Sequence, residues 1–287
     1  MAEPRARVEP KSLSRASMRL WLGGGWLALL VIAALFAGRL APQDPLAQDL
    51  MLQTAPPFWL KGAEPGYFLG TDSLGRDMLS RLIYASRPAL AVAIAASFAA
   101  CVVGSLLGLL AGYFGGWTDR VISRLVDIWM AFPPVLLSIL LVAVMGPGLL
   151  SVIVAIAVID WTRFCRVARA EAMQQRAMDY VEAARAAGVG TARILWAEVL
   201  PNVLPALVVL LSLEMGIAVI VEAILSFVNL SIATDDPTWG SMIAEGRGLI
   251  HQAWWILVFP LIALFITVLA FAQVGEGLKE RFDPVLA

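Results

Sequence analysis

The sequence predicts an all-α, polytopic membrane protein with six transmembrane helices. Three observations lead there. Sixty per cent of the 287 residues are hydrophobic and 15% are charged, whereas a soluble domain is about half apolar and about a quarter charged. The apolar residues fall in runs that match or exceed the roughly 20 residues a helix needs to cross a bilayer. The basic residues concentrate in alternate connections between those runs, as topology requires.

The first span follows from 19 uncharged residues between Arg19 and Arg39, and covers about Leu20–Ala37. A signal peptide is the alternative reading; the apolar stretch is long for one, and no convincing small-residue cleavage site follows it. Segment 39–87 carries Pro42, Pro45, Pro56, Pro57 and Pro65; it is read as an external loop with one amphipathic helix at Leu74–Tyr84. Arg87 and Asp119 bracket 31 uncharged residues, which give a second span near Pro88–Tyr113 with Pro88 in its first turn. Asp127 and Asp160 bracket 32 more. One helix of that length would measure about 48 Å against a hydrocarbon core of about 30 Å. The turn Gly146-Pro147-Gly148 divides it into spans near Val121–Val144 and Leu149–Val167. A fifth span covers about Val203–Val228 and a sixth about Trp254–Val274. The chain thus divides into 1–87, an N-terminal tail, first helix and external loop, and 88–287, a five-helix core with a loop at about 163–202.

An even number of spans puts both termini on one side. Arg5, Arg7, Lys11, Arg15 and Arg19 precede the first span; Arg120 and Arg124 follow the second. Arg163, Arg166, Arg169, Arg176, Arg185 and Arg193 lie between the fourth and fifth, and Lys279 and Arg281 at the end. That is 15 of 21 basic residues on one side, which marks that side as cytoplasmic. The net charge of −1 and the absence of a basic block give no footing for nucleic acid. The lipid bilayer is the expected surrounding.

Between the fourth and fifth spans stands Tyr180–Pro205, YVEAARAAGVGTARILWAEVLPNVLP. Asp179–Ala187 is rich in helix-forming Ala, Arg and Glu. Tyr180, Ala183, Ala184 and Ala187 recur at helical spacing, and small side chains there admit the close approach of another backbone. Glu182 and Arg185 are spaced to pair. Gly188 is placed to close the helix in a left-handed C-terminal cap, and Thr191 to cap the next short helix. Pro201 and Pro205 open the fifth span. The plain alternative is an amphipathic helix lying on the membrane surface.

Four stretches in the same order resemble the second permease subunit of the dipeptide, oligopeptide and nickel ABC importers. They are Leu69-Gly70-Thr71-Asp72-Ser73-Leu74-Gly75-Arg76-Asp77; Ala111–Trp117 with Asp119; the loop Tyr180–Pro205; and Glu222–Phe227 with Pro237-Thr238-Trp239-Gly240. The resemblance covers about residues 66–285. It implies the type I ABC importer permease fold in a bacterial plasma membrane. It also implies a second homologous permease subunit, ATP-binding subunits and an extracytoplasmic substrate-binding protein. In such a complex Glu182, Ala183, Ala184, Gly188, Leu200 and Pro201 form the loop that couples the permease to the ATPases. Glu198 stands where the pattern has an apolar residue, and Asn229, Ser231 and Thr234-Asp235-Asp236-Pro237 stand where it has glycines and a Pro-Pro pair.

Glu214 and Glu222 lie within the fifth apolar run and Asp160 within the fourth. A carboxylate at mid-bilayer costs about 2.5–3.5 kcal/mol, so each must face protein or water. Glu214 and Glu222 are candidate pathway-lining residues; a helix–helix hydrogen bond is the plain alternative, and an interfacial position the plain reading for Asp160. No catalytic, cofactor or metal-binding set is expected. His251 is the only histidine, and a metal site needs two or three spaced ligands. No Gly-x4-Gly-Lys-Ser/Thr pattern occurs, so ATP would be bound by partner subunits. Cys101 and Cys165 are read as packing residues. Trp59, Trp239, Trp254 and Trp255 are read as interfacial anchors. Asn229-Leu230-Ser231, formally a glycosylation sequon, is read as chance. A proton-coupled secondary transporter using Glu214 and Glu222, and a membrane-embedded hydrolase, are the other function classes; the loop disfavours the first and the lone histidine the second.

Overall fold

A computed structural model of the chain describes residues 11–231 and 236–282. Arg5, Arg7 and the Thr234-Asp235 pair lie outside the described residues. In chain order the helices are α1 (Lys11–Leu35), α2 (Ala37–Leu40), α3 (Met78–Phe114), α4 (Gly116–Met130), α5 (Pro134–Met145), α6 (Leu149–Arg176), α7 (Asp179–Ala186), α8 (Thr191–Arg193), α9 (Leu200–Phe227), α10 (Trp239–Gly248) and α11 (Trp255–Phe282). A short π-helical turn, Ile194–Val199, joins α8 to α9. No strand occurs among the described residues.

Among the described residues four helices are long and apolar enough to cross a membrane: α1, α3, the α8–α9 stretch and α11. The pair α4 and α5 makes a fifth if counted as one span. Length and hydropathy therefore do not reach the expected six. α6 is 28 residues long but does not qualify: Asp160 interrupts its apolar first half, and Arg163 and Arg166 follow directly.

Three boundaries differ from expectation. No separate helix covers Leu74–Tyr84. The Asp77 carboxylate caps α3 by accepting from the Ser80 amide at 2.8 Å, and α3 then runs unbroken for 37 residues, about 55 Å. Pro88 consequently sits inside α3, not in its first turn; the Tyr84 carbonyl four residues earlier is left without its usual donor. The third span is not one helix over Val121–Val144. It bends by 86° between α4 and α5. Phe132-Pro133-Pro134 causes the break: proline disfavours α-helical backbone in the residue before it and supplies no N–H. Pro133 is extended and Pro134 restarts the helix at its first position.

The bundle is built on a seam between α3 and α6. Gly104, Gly108 and Gly112 line one face of α3 at four-residue spacing. A Cβ at these positions would lie 2.2 Å from the Trp161 carbonyl oxygen, 2.4 Å from that of Cys165 and 2.5 Å from that of Arg169. Lipid gives helices no hydrophobic reason to associate, so close backbone packing through small residues supplies the contact. The pattern reading overlooked this stripe, although its spacing was visible. α9 lies centrally, against α3, α6 and α11. α1 packs on α11, where Gly23 abuts the Ala270 carbonyl and the Trp26 indole donates to Thr267 Oγ1 at 3.1 Å. The outer side of α1, with Trp21, Leu22 and Leu35 exposed, is suited to lipid.

Candidate functional site

At one end of the bundle the segment between α6 and α9 folds into a compact elbow. Val181 of α7 is fully buried, packed in a cluster with Tyr113 of α3, Ala172 of α6 and Ile194 and Leu195 of the π turn. The inward face is thus centred on Val181, with Ala184 and Val189 beside it. Ala183, Ala187 and Glu182 point outward and are exposed. The expected Glu182–Arg185 pair does not form. Arg185 instead places its guanidinium over the Tyr113 ring. Gly188 closes α7 at φ +76°. Its N–H donates to Arg185 O and that of Val189 to Ala184 O, the paired bonds of a left-handed cap.

The next cap is shifted by one residue. Gly190, not Thr191, stands at the N-cap of α8, because its carbonyl accepts from the Ile194 amide. The π turn that follows ends against Leu200-Pro201, and such turns mark functional segments more often than ordinary helix does. Leu200 is half-buried and Pro201 exposed at the start of α9; Pro205 lies inside that helix. Asn202 ties the elbow together, donating to Glu198 O at 2.7 Å and to the Tyr180 hydroxyl at 3.3 Å. Met178, Tyr180 and Trp196 are exposed around it. Glu182, Ala183, Ala184 and Gly188 are therefore on one rigid knob, with Leu200 and Pro201 at its root.

Deeper in the bundle, Glu214 of α9 is 2% exposed and accepts from Arg163 Nη1 of α6 at 2.8 Å. Asp160, one helical turn from Arg163, is 4.0 Å from the same guanidinium and is buried. Arg163 entered the sequence reading only as a loop charge. Its i, i+3 spacing from Asp160 was the available signal. Glu222 is not part of this group. It lies eight residues further along α9, about 12 Å, at 1% exposure. Its Oε1 accepts from Ser226 Oγ at 2.6 Å and Ser231 Oγ at 3.1 Å. The Ser231 carbonyl in turn accepts from Gly148 N at 2.7 Å, so Glu222 ties the segment after α9 to the α5–α6 turn.

At the end opposite the elbow, Asp72 and Arg81 are buried. Arg81 bonds Asp72 and reaches Glu245 of α10 at 3.0 Å; Arg76 bonds Asp72 at 2.6 Å. Ser73 donates its amide to Glu245 at 2.9 Å. The Trp255 indole donates to the Thr71 carbonyl at 3.0 Å. Burial works to raise the Glu245 pKa, but the Arg81 charge and the Ser73 bonds outweigh it and hold the group below its ordinary value of 4.5. The Leu69–Asp77 stretch is thus a latch between the loop and α10. His251 is exposed in the turn after α10. Cys101 and Cys165 are free thiols. No cluster of three or more potential metal ligands occurs among the described residues.

Residues 104–286 match the family described as binding-protein-dependent transport system inner membrane component. The chain is 40% identical over 261 residues to the di/tripeptide transport system permease protein DppC of Pseudomonas aeruginosa (strain UCBPP-PA14), covering 91% of this chain and 86% of that one. It is 39% identical over 261 residues to the dipeptide transport system permease protein DppC of Escherichia coli (strain K12), covering 91% and 87%. It is also 39% identical over 226 residues to the glutathione transport system permease protein GsiD of Pectobacterium atrosepticum, covering 79% and 75%. A chain of the MetNI methionine ABC transporter, solved in inward-facing conformations, shares the fold with a TM-score of 0.59 at 22% identity, over 69% of this chain and 94% of that one. The extent of these matches settles the family: the chain belongs to the inner membrane components of binding-protein-dependent transport systems and is a transmembrane permease subunit of an ABC importer.

Proposed function

We propose that this permease carries small peptides and that its α6–α9 elbow is the contact through which ATPase subunits drive it. The elbow is the observation that supports the reading. It is fixed inward by Val181 and Arg185 and presents Glu182, Ala183 and Ala187 outward. An outward face of small residues accepts a partner backbone at close range, and a rigid attachment to α3, α6 and α9 passes displacement to the bundle. The relatives' names favour di- and tripeptides among possible solutes.

In this reading a second permease completes the pathway, the ATPases lie beneath the elbow, and a substrate-binding protein delivers from the opposite side. Both termini and residues 163–198 are cytoplasmic. Nucleotide and loaded binding protein bias a two-state bundle. Glu214, held between α6 and α9, lies on the pathway; Glu222 holds the segment after α9 in place. ATP hydrolysis belongs to the partner subunits.

The test is reconstitution of the purified complex in proteoliposomes with its binding protein. Vanadate-sensitive, ATP-dependent uptake of a labelled dipeptide is expected. Uptake driven by a proton gradient alone would overturn the reading in favour of a secondary transporter. A cysteine placed at Ala177 should be shielded from impermeant reagents in intact cells while one at Gly62 is labelled; the reverse pattern would invert the topology.

A further inference from the structure

Beside the α4–α5 bend lies a cleft of about 60 Å³ lined by Trp129, Phe132, Leu137, Ile159, Asp160 and Arg163 among others. One of its polar groups is unsatisfied and a second is only weakly compensated. Asp160 is 5% exposed, and among the described residues its carboxylate accepts no hydrogen bond; its nearest cation, Arg163, is 4.0 Å away. That guanidinium is already held by Glu214 at 2.8 Å. Trp129 Nε1 is buried and has no acceptor among the described residues. Buried polar groups are nearly always paired, and a weakly compensated acceptor beside an unpaired donor in one cleft points to a ligand that serves both.

The electrostatics say which ligand. Asp160, Glu214 and Arg163 sum to a formal charge of −1; Arg166, which reaches Met130 on the cleft wall at 3.3 Å, is exposed and screened by solvent, so the buried group still attracts a cation. Within the bilayer an under-compensated carboxylate calls for a counter-charge. Aromatic walls suit an organic ammonium better than a hydrated metal ion. An N–H donor close by suits a carbonyl adjoining that ammonium. The volume admits a head group and excludes a whole dipeptide.

We propose that this cleft is a half-site for the amino-terminal ammonium of the transported solute. Asp160 is the counter-ion, Trp129 Nε1–H the donor to the neighbouring carbonyl, and Trp129 and Phe132 the walls. Glu214 keeps Arg163 from neutralising Asp160. The proposal rests on the reading of the chain as a peptide permease, and its first test does not depend on transport.

In the assembled importer lacking native cysteines (C101A, C165A), Leu137→Cys places a thiol in the cleft. Its reaction rates with cationic aminoethyl and anionic sulfonatoethyl methanethiosulfonates are compared. Asp160→Asn should lower the cation-to-anion ratio about tenfold, as expected for removing one charge at short range, and Asp160→Glu should retain it. Ethylammonium should slow labelling in the parent and not in the Asn variant. An unchanged ratio in Asp160→Asn, or no protection by ethylammonium in the parent, overturns the half-site. Charge-dependent labelling and protection in a complex that transports no peptide would uphold the cation site and remove the peptide reading instead.

Discussion

The Arg185 guanidinium lies 5.2 Å from the centroid of the Tyr113 ring, and this contact joins the elbow helix α7 to the last turn of α3. α3 is the longest helix of the bundle and is locked to α6 by its glycine seam. A displacement of α7 therefore reaches both. Removing the ring should loosen transmission without disturbing the bundle. Tyr113→Leu keeps the apolar packing and loses a cation–π contact of about 0.5–1 kcal/mol. The number of peptides carried per ATP hydrolysed should fall, with assembly intact. An unchanged ratio would show that the contact transmits nothing.

Gly188 tests the elbow's shape. Its φ of +76° is unfavourable for a residue with a Cβ, by roughly 1–2 kcal/mol. Nothing lies within 4 Å of the Cβ that would be added, so the penalty is conformational alone. Gly188→Val should reach the membrane and pair with its partner permease yet lose uptake, and ATP hydrolysis should no longer respond to loaded binding protein. Gly188→Asn should be milder, because Asn tolerates the left-handed region. Glu182→Lys, on the exposed face, should resemble Gly188→Val. Normal stimulated hydrolysis in both Gly188→Val and Glu182→Lys would remove this segment as the transmission element.

Much of this was legible in the sequence because it rests on local rules. Apolar runs placed the spans of α1, α9 and α11 closely, and Gly188 declared its cap. What was missed depends on partners distant in the chain. Glu214 read as an isolated acid, since its partner Arg163 is 51 residues earlier. Val181 was passed over for an alanine-rich face, since the cavity that receives it is built by α3, α6 and the π turn. The break at Phe132-Pro133-Pro134 was a local signal overlooked, because the turn at Gly146-Pro147-Gly148 already accounted for the length of the run. The Leu69–Asp77 stretch was recognised as a motif, but its role as a latch needed Glu245 of α10.

The glycine seam gives a sharper test of architecture. At Gly108 an added Cβ would lie 2.4 Å from the Cys165 carbonyl and 2.7 Å from Ala168 Cβ. Neither neighbour is a flexible side-chain tip. Gly108→Leu should force α3 from α6 and cost at least the roughly 1–3 kcal/mol typical of overpacking, seen as lost assembly and a lower melting temperature. Gly24→Leu is the control: nothing lies within 4 Å of its Cβ, and it should assemble normally. Equal stability of the two variants would mean that the seam is not the main contact.

The latch at the opposite end carries a pH dependence whose sign is fixed by Glu245. Its folded pKa lies below the ordinary 4.5. Such a group contributes stability that is fully present above its unfolded pKa and is lost as pH falls through the folded value. The Leu69–Asp77 loop should therefore hold from neutral pH down to about 4.5 and loosen below it. Glu245→Gln should flatten that acid limb while lowering stability at neutral pH, since Arg81 then keeps only Asp72. Arg81→Ala should do more harm. Asp72 is fully buried and would keep Arg76 as its one charged partner, beside the Leu74 and Arg76 amides, and breaking a buried pair costs about 3–5 kcal/mol where no second partner remains. With Arg76 still bonded the loss should fall short of that range. The measurement is thermal unfolding of the detergent-solubilised complex from pH 7 to pH 4, with the intrinsic fluorescence of Trp239 and Trp255 reporting on the latch. An acid limb unchanged in Glu245→Gln would place the pH-sensitive group elsewhere, and a silent Arg81→Ala would mean that hydrogen bonds such as Trp255 to Thr71, not the charges, hold the loop to the bundle.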